Sequence, residues 1–359
     1  MAVRSDAADP QFELVCAIVR GQADKVASLA KAAEFNSETF LQYADIQRLA
    51  ASIFHAAQRH SILSLLPSQV VENLRKSFLA QFRWNLLLLE KIRELDAAFR
   101  RSGHEVIFLK GLNLAEEHYG QIAARQIGDI DVLMRDCDDL RGFEELLAGL
   151  GYHRRSRILG SRALMVRYAH HLEFDGTPAP LDLHWVLRRH PSFALDYADL
   201  WRRKRMVRVR NVEFLALDLD HELVLQFLSI HTDVEVGILR LKSFVDLYTI
   251  LTGVARTLDW ESFFARRSDE GLLPIAVNVL DLALDVLGCR EEFPALAESI
   301  EPHRGKLLLT DIDSKLDLFR GKGGATQRKA WALRLYDTSP MRAFFWWGLS
   351  LPFRLAEHP

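Results

Sequence analysis

The sequence predicts an α+β fold, a central stretch of short strands with helical regions on both sides. Three observations predict it. Residues 11–101 and the chain from Asp218 onward place apolar side chains at helical spacing. Between them, short apolar runs at 106–109 and around Ile127, Ile130, Val132 and Leu133 stop at glycines or charges, as buried strands do. Residues 168–187 alternate apolar and polar side chains about a central turn, the signature of a hairpin.

The elements follow in chain order. Phe12, Leu14, Val15 and Ile18 form a first helix that Gly21 ends. Asn36 can cap a helix over 40–60 with Leu41, Ile46, Leu49 and Ile53 on one side. Ser68 can cap a long helix over 69–101, whose stripe of Leu74, Phe78, Phe82, Leu86, Leu89, Ile92 and Leu95 reads as core. Gly103 ends it. A strand over 106–109 then meets the tight turn Lys110-Gly111, a helix over 112–119, and a second strand carrying Asp129 and Asp131. A loop at 135–139 leads into a helix through Leu147, closed by Gly149 and Gly151. In the hairpin, Asp175-Gly176-Thr177-Pro178 supplies the turn. Val207, Val209 and Val212 alternate with Arg208 and Arg210, which reads as a sheet face with solvated arginines. Asp218 or Asp220 then caps a helix, and helices over 239–251, 261–266 and 273–287 follow, with shorter ones to 319. The glycines at 321, 323 and 324 mark a linker. The tail over 342–355 gathers Phe344, Phe345, Trp346, Trp347, Leu349, Leu351 and Phe353 between basic ends, suited to docking on the chain's own surface or to contact with a partner or a membrane surface. This divides the chain into a helical region over 1–103, a core over 104–217, a second helical region over 218–320, and the linker and tail over 321–359.

Composition narrows the function. A chain of 359 residues, 49% hydrophobic and 26% charged, can bury a sizeable core in two or three domains. A net charge of −2 offers no global attraction for nucleic acid. Cys16, Cys137 and Cys289 are widely spaced, with neither a disulfide framework nor zinc spacing, which fits a reducing cytoplasm. No apolar signal core opens the chain, and no run reaches the roughly 20 residues of a membrane span.

The chemistry concentrates at two places. Residues two apart in a strand share a face, so Asp129 and Asp131 present adjacent carboxylates. Like charges so placed resist joint ionisation unless a cation lies between them, and Mg²⁺ held by carboxylates and substrate phosphates is the usual solution. The Gly111 turn ahead of a helix is the complementary half, where backbone amides favour an anion and Lys110 adds a charge. Asp182, between Leu181 and Leu183, is a third acid on a strand face. Glu173 on the partner strand competes for that role, because register is open from sequence alone. Either could complete a metal site or serve as a general base.

These residues carry a resemblance. Leu109-Lys110-Gly111, Arg125, Gly128-Asp129-Ile130-Asp131-Val132-Leu133, Leu150-Gly151-Tyr152 and Leu181-Asp182-Leu183-His184-Trp185 resemble the uncharacterised nucleotidyltransferase family of bacteria, within the DNA polymerase β-like superfamily. So does the later region with His231, Arg240-Leu241 and Asp246-Leu247, and the likeness covers roughly residues 12–287. The resemblance implies a small mixed sheet flanked by helices, and transfer of a nucleoside monophosphate from a nucleoside triphosphate to an acceptor with Mg²⁺ in a two-metal site. It implies Asp129, Asp131 and Asp182 as the metal-binding and catalytic acids. It also implies Lys110, Gly111, Asn113, Arg125 and Gly128 as the nucleotide-binding set. One departure stands out: the superfamily's Gly-Ser or Gly-Gly turn is Gly111-Leu112 here, with Asn113 as a partial replacement for the missing hydroxyl.

Three functions stay open on sequence. The first is the Mg²⁺-dependent nucleotidyltransferase, with a small-molecule or peptide acceptor favoured over nucleic acid. The second is a weakly active or inactive nucleotide-binding scaffold, motivated by Leu112 and the aromatic tail. The third is a hydrolase using His170, His171, His184 and Asp182 as metal ligands, opposed by the rule that adjacent strand residues face opposite sides. The acceptor, the preferred nucleotide and the oligomeric state are open as well.

Overall fold

Strand alternation is the rule from which the sheet is built. The structure, a computed structural model, describes residues 9–155, 166–236, 239–306, 341, 345, 348, 349, 351 and 352. The glycine linker at 321–324, the helices expected between 307 and 319, and most of the 342–355 tail lie outside the described residues. Five strands form one mixed sheet in the order β1 (Val106–Phe108), β2 (Ile130–Met134), β5 (Leu181–His184), β4 (His171–Asp175) and β3 (His153–Arg154). β2 and β5 run parallel, and the other neighbours are antiparallel. The α+β class and the small mixed sheet are therefore as the sequence indicated. A separate hairpin joins β6 (Arg205–Val209) to β7 (Val212–Ala216), with Val207, Val209 and Val212 buried and Arg208 and Arg210 exposed.

The chain divides into two compact units, one of Met1–Leu87 with Leu114–Ile127 and one of Leu88–Asn113 with Gly128–Pro359. The first unit is helical. α1 (Pro10–Val19), α2 (Ala23–Lys31), α3 (Ser37–Ile46) and α4 (Ala50–Arg59) precede the N-terminal part of α5 (Ser68–Arg101), a helix of 34 residues. The single helix expected over 40–60 is two. Arg48 at φ 56° ends the first, and Asn36 caps it by accepting from Thr39 N at 2.9 Å. Buried polar side chains hold the inserted segment. Ser52 Oγ donates to Ala124 O at 2.7 Å, Trp84 Nε1 to Ile127 O at 2.8 Å, and Asn85 Nδ2 to Arg125 O at 3.0 Å. Each satisfies a carbonyl whose burial without a partner would cost about 1–3 kcal/mol.

The second unit carries the sheet. One face of it is apolar: Ile130, Val132, Leu181, Leu183, Leu172 and Phe174 are all buried. Phe108 meets Phe214 of β7 edge to face at 5.2 Å between ring centres, and burying each ring stabilises by roughly 2–3 kcal/mol. Phe99 near the end of α5 meets Phe143 of α7 (Leu140–Gly149) at 5.4 Å. Helices α9 (Leu219–Val236), α10 (Leu241–Val254), α11 (Trp260–Asp269), α12 (Leu273–Val286) and α13 (Pro294–Ile300) follow α8 (Tyr197–Arg203) and the β6–β7 hairpin. Asp218 caps α9, accepting from His221 N at 3.2 Å. Gln226 Nε2 ties α9 to α10 through Ser243 O at 2.6 Å.

Candidate active site

The second face of the sheet is polar. Asp131 on β2 stands opposite Asp182 on β5, and Asp182 stands opposite Glu173 on β4. The next rung sets His184 opposite His171. Because side chains alternate, the row of acids and the row of imidazoles point to the same side. The leucines that bracket Asp182 anchor this orientation: Leu181 and Leu183 are fully buried on the apolar face, so Asp182 must project from the other.

Asp131 is the electrostatic centre. It is 4% exposed. Lys110 Nζ lies 3.4 Å from its Oδ2, and His184 Nε2 donates to its Oδ1 at 3.3 Å. Burial alone would push this carboxyl up, but Lys110 and His184 together outweigh it and hold Asp131 well below the usual carboxylate range. Lys110 reaches it because the β1–β2 pairing continues past β1, with Leu109 N donating to Asp131 O at 3.0 Å.

Asp182 is its opposite. Burial, then the charges of Asp131, Asp129 and Glu173, push its carboxyl up to about 8. At neutral pH the metal-free pair therefore holds one negative charge and one proton. Ligand atoms of Asp131, Asp182 and His184 lie within 4.8 Å of one another. Glu173 has a different engagement: its Oε2 accepts from Arg155 Nη1 at 2.7 Å, and the same guanidinium binds Asp175. Of the two competitors for the third acid, Asp182 is the one whose oxygen clusters with Asp131.

The remaining expected residues are distributed as follows. Asp129 precedes β2, outside that 4.8 Å cluster, and adds to the negative field at Asp182. Gly111 sits in the turn at φ 103°, a backbone state that only glycine adopts freely. The helix it introduces, α6 (Leu112–Glu117), has only six residues, so its dipole is weak. Asn113 is buried and turned inward, with Nδ2 donating to Glu222 Oε1 at 2.9 Å, so its side chain is held by a structural partner. Gly128 opens the β2 segment of the same unit, whereas Arg125 is buried in the other unit.

Two further features stand beside these, the first being the histidine convergence that the third reading raised. Ligand atoms of His170, His171 and His184 also converge within 4.8 Å. The alternation rule argued against this, but β4 begins at His171, so His170 lies outside the strand and its ring centre comes within 4.3 Å of that of His171. Asp233 on α9 is the second. Burial pushes its carboxyl up, against Arg240, Ser243 and Lys110, so it shares the Lys110 field; no motif marked it.

The donor set can hold a divalent cation. It offers two carboxylates with one shared charge, and His184 Nδ1 is buried with no hydrogen-bond partner among the described residues. Carboxylates suit Mg²⁺ and Mn²⁺, and imidazoles extend the range to Zn²⁺. Cys16 and Cys289 are buried free thiols, and no described helix is long and apolar enough to cross a membrane. A family model described as an uncharacterised nucleotidyltransferase matches residues 33–288, which include every residue of the polar face. No curated protein matches the chain.

Proposed function

The chain belongs to this nucleotidyltransferase family, and from that premise we propose that it moves a nucleoside monophosphate from a nucleoside triphosphate to the hydroxyl of an acceptor, with Mg²⁺. The observation that carries the reading is the register of β2 on β5, which sets Asp131 against Asp182 and leaves Asp182 with a proton at neutral pH. Such a pair suits a divalent cation. Asp131 and Asp182 would hold it, with Asp129 at the margin and His184 positioning Asp131. When bound, Mg²⁺ supplies charge neutralisation on the reacting phosphate and on the leaving pyrophosphate.

The chain's own groups do the rest. The Lys110-Gly111 turn binds the triphosphate, with Lys110 as a point charge. With the cation held, Asp182 would be ionised, and it accepts the hydroxyl proton as the acceptor oxygen bonds to the α-phosphorus and the bond to pyrophosphate breaks. In this reading residues 104–217 are the catalytic core of a cytoplasmic enzyme of the DNA polymerase β-like kind, with helical flanks at 1–103 and 218–320. A small-molecule or peptide acceptor suits the near-neutral charge better than nucleic acid does.

Pyrophosphate release from each triphosphate with Mg²⁺, over a panel of acceptors, tests the proposal. Asp131→Asn is expected to abolish transfer while the protein still melts cooperatively; full activity in that variant sinks it. A second reading, binding without turnover, is favoured by Leu112 in the phosphate turn and by Asn113 being held on Glu222. Tight triphosphate binding with no turnover across the panel would select it.

A further inference from the structure

A cavity of about 530 Å³ opens in the sheet-bearing unit beside the ends of β4 and β5. Its volume is that of a small-molecule site. Arg167, Arg188 and Arg189 line it, together with the rings of Tyr168, Phe193 and Tyr197, and no acidic side chain is among the described lining residues. In a chain of net charge −2, three guanidiniums around one cavity are a local concentration of positive charge. The walls are tied down. Arg189 Nε donates to Ala169 O at 3.1 Å, Leu187 N donates to Tyr197 Oη at 2.7 Å, and the Arg167 guanidinium lies 5.6 Å from the centre of the Tyr168 ring.

Topology places this cavity relative to the acids. β1 runs antiparallel to β2, so the Gly111 turn, just past the end of β1, lies toward the start of β2. β5 runs parallel to β2, so Val186 and Arg188, just past the end of β5, lie toward the opposite end. The row of Asp131 and Asp182 falls between. In-line displacement needs the leaving and attacking groups on opposite sides of the phosphorus. With pyrophosphate on the Gly111 turn, the acceptor enters from the end where the basic cavity stands. Backbone reach limits the Cα separation of Asp182 and Val186, four residues apart, to at most about 14 Å.

Resting on the nucleotidyltransferase reading, we propose that this cavity is the acceptor site, and that the acceptor is a small phosphomonoester carrying a ring. Guanidinium forks match the oxygens of a dianionic phosphate two at a time, and the three aromatic rings give a planar group surfaces to stack on. The phosphate anchors the acceptor, and a hydroxyl elsewhere on it reaches Asp182.

Calorimetric titration of the full chain with phenyl phosphate, in EDTA, tests the cavity without the reaction. The wild type is expected to bind one equivalent, and benzoate at least tenfold more weakly. Arg188→Gln is expected to weaken phenyl phosphate at least tenfold, and Lys110→Gln to leave it unchanged. Arg167→Gln, at an exposed position, gives the same direction of change and carries the test if Arg188→Gln does not fold. No saturable binding, equal binding of benzoate, or loss in Lys110→Gln with none in the arginine variants overturns the proposal. Titration of the same proteins with Mg²⁺ and each triphosphate separates the two readings. Phenyl phosphate binding in a protein that binds no triphosphate removes the transferase while keeping the cavity. Triphosphate binding with no phenyl phosphate site removes the cavity alone.

Discussion

Replacing Asp182 by asparagine should make the metal-free protein more stable. Its carboxyl is raised from 3.8 to about 8 by burial and by Asp131, Asp129 and Glu173. Between those values the folded state holds a proton that the unfolded chain has released, so unfolding gains free energy as pH rises, and this group lowers stability progressively from about pH 4 to about pH 8. At about 1.4 kcal/mol per unit, the roughly three units between 3.8 and pH 7 set a ceiling of about 4 kcal/mol. Sharing of the proton with Asp131 and relaxation of the neighbours bring the expected gain to about 2 kcal/mol. That corresponds to roughly 4–8 °C in the transition of the sheet-bearing unit. Asparagine copies the shape of the protonated acid and removes the ionisation. Thermal melts by circular dichroism at pH 5, 7 and 8.5 in EDTA would show the variant ahead by an amount that grows with pH. Added Mg²⁺ would raise the melting temperature of the wild type and leave the variant nearly unmoved, because the variant has lost a ligand. A gain that does not change with pH, or a variant less stable at pH 8.5, would refute the view of Asp182 as an acid held protonated by its neighbours.

Two further outcomes follow from the same face. His184→Asn removes the imidazole that donates to Asp131 Oδ1, and is expected to weaken Mg²⁺ binding by about tenfold, as measured by calorimetry, with the fold retained. Gly111→Ala forces a side chain into φ 103° and is expected to cost about 1–3 kcal/mol in a denaturant melt and to raise the KM for triphosphate.

Much of the fold was legible because burial leaves a periodic trace. The stripe over 69–101 became one continuous helix, and the bracketed aspartates at 131 and 182 became members of adjacent strands. The helix expected over 40–60 broke at 47–49, where no glycine or proline announced it; Arg48 there takes a positive φ that residue type alone does not foretell. Asn113 looked like a hydroxyl substitute in the phosphate turn, yet a glutamate 109 residues away holds its amide. The compact units divide within α5, between Leu87 and Leu88, a point that the continuous apolar stripe of the helix does not mark.

The sequence by itself determined which residues can face the polar side of the sheet. Alternation of apolar and polar residues is local, and it already required Asp182 and His184 to share a face. Only the tertiary structure decided what they face. The β2–β5 register joins Asp131 to Asp182, 51 residues apart, and a shift of one residue would have turned the acids into the apolar core. That pairing set Asp131 against Asp182, brought Lys110 and His184 onto the same carboxyl, and left Glu173 with Arg155. The opposite displacements of the two carboxyls arise from those distances.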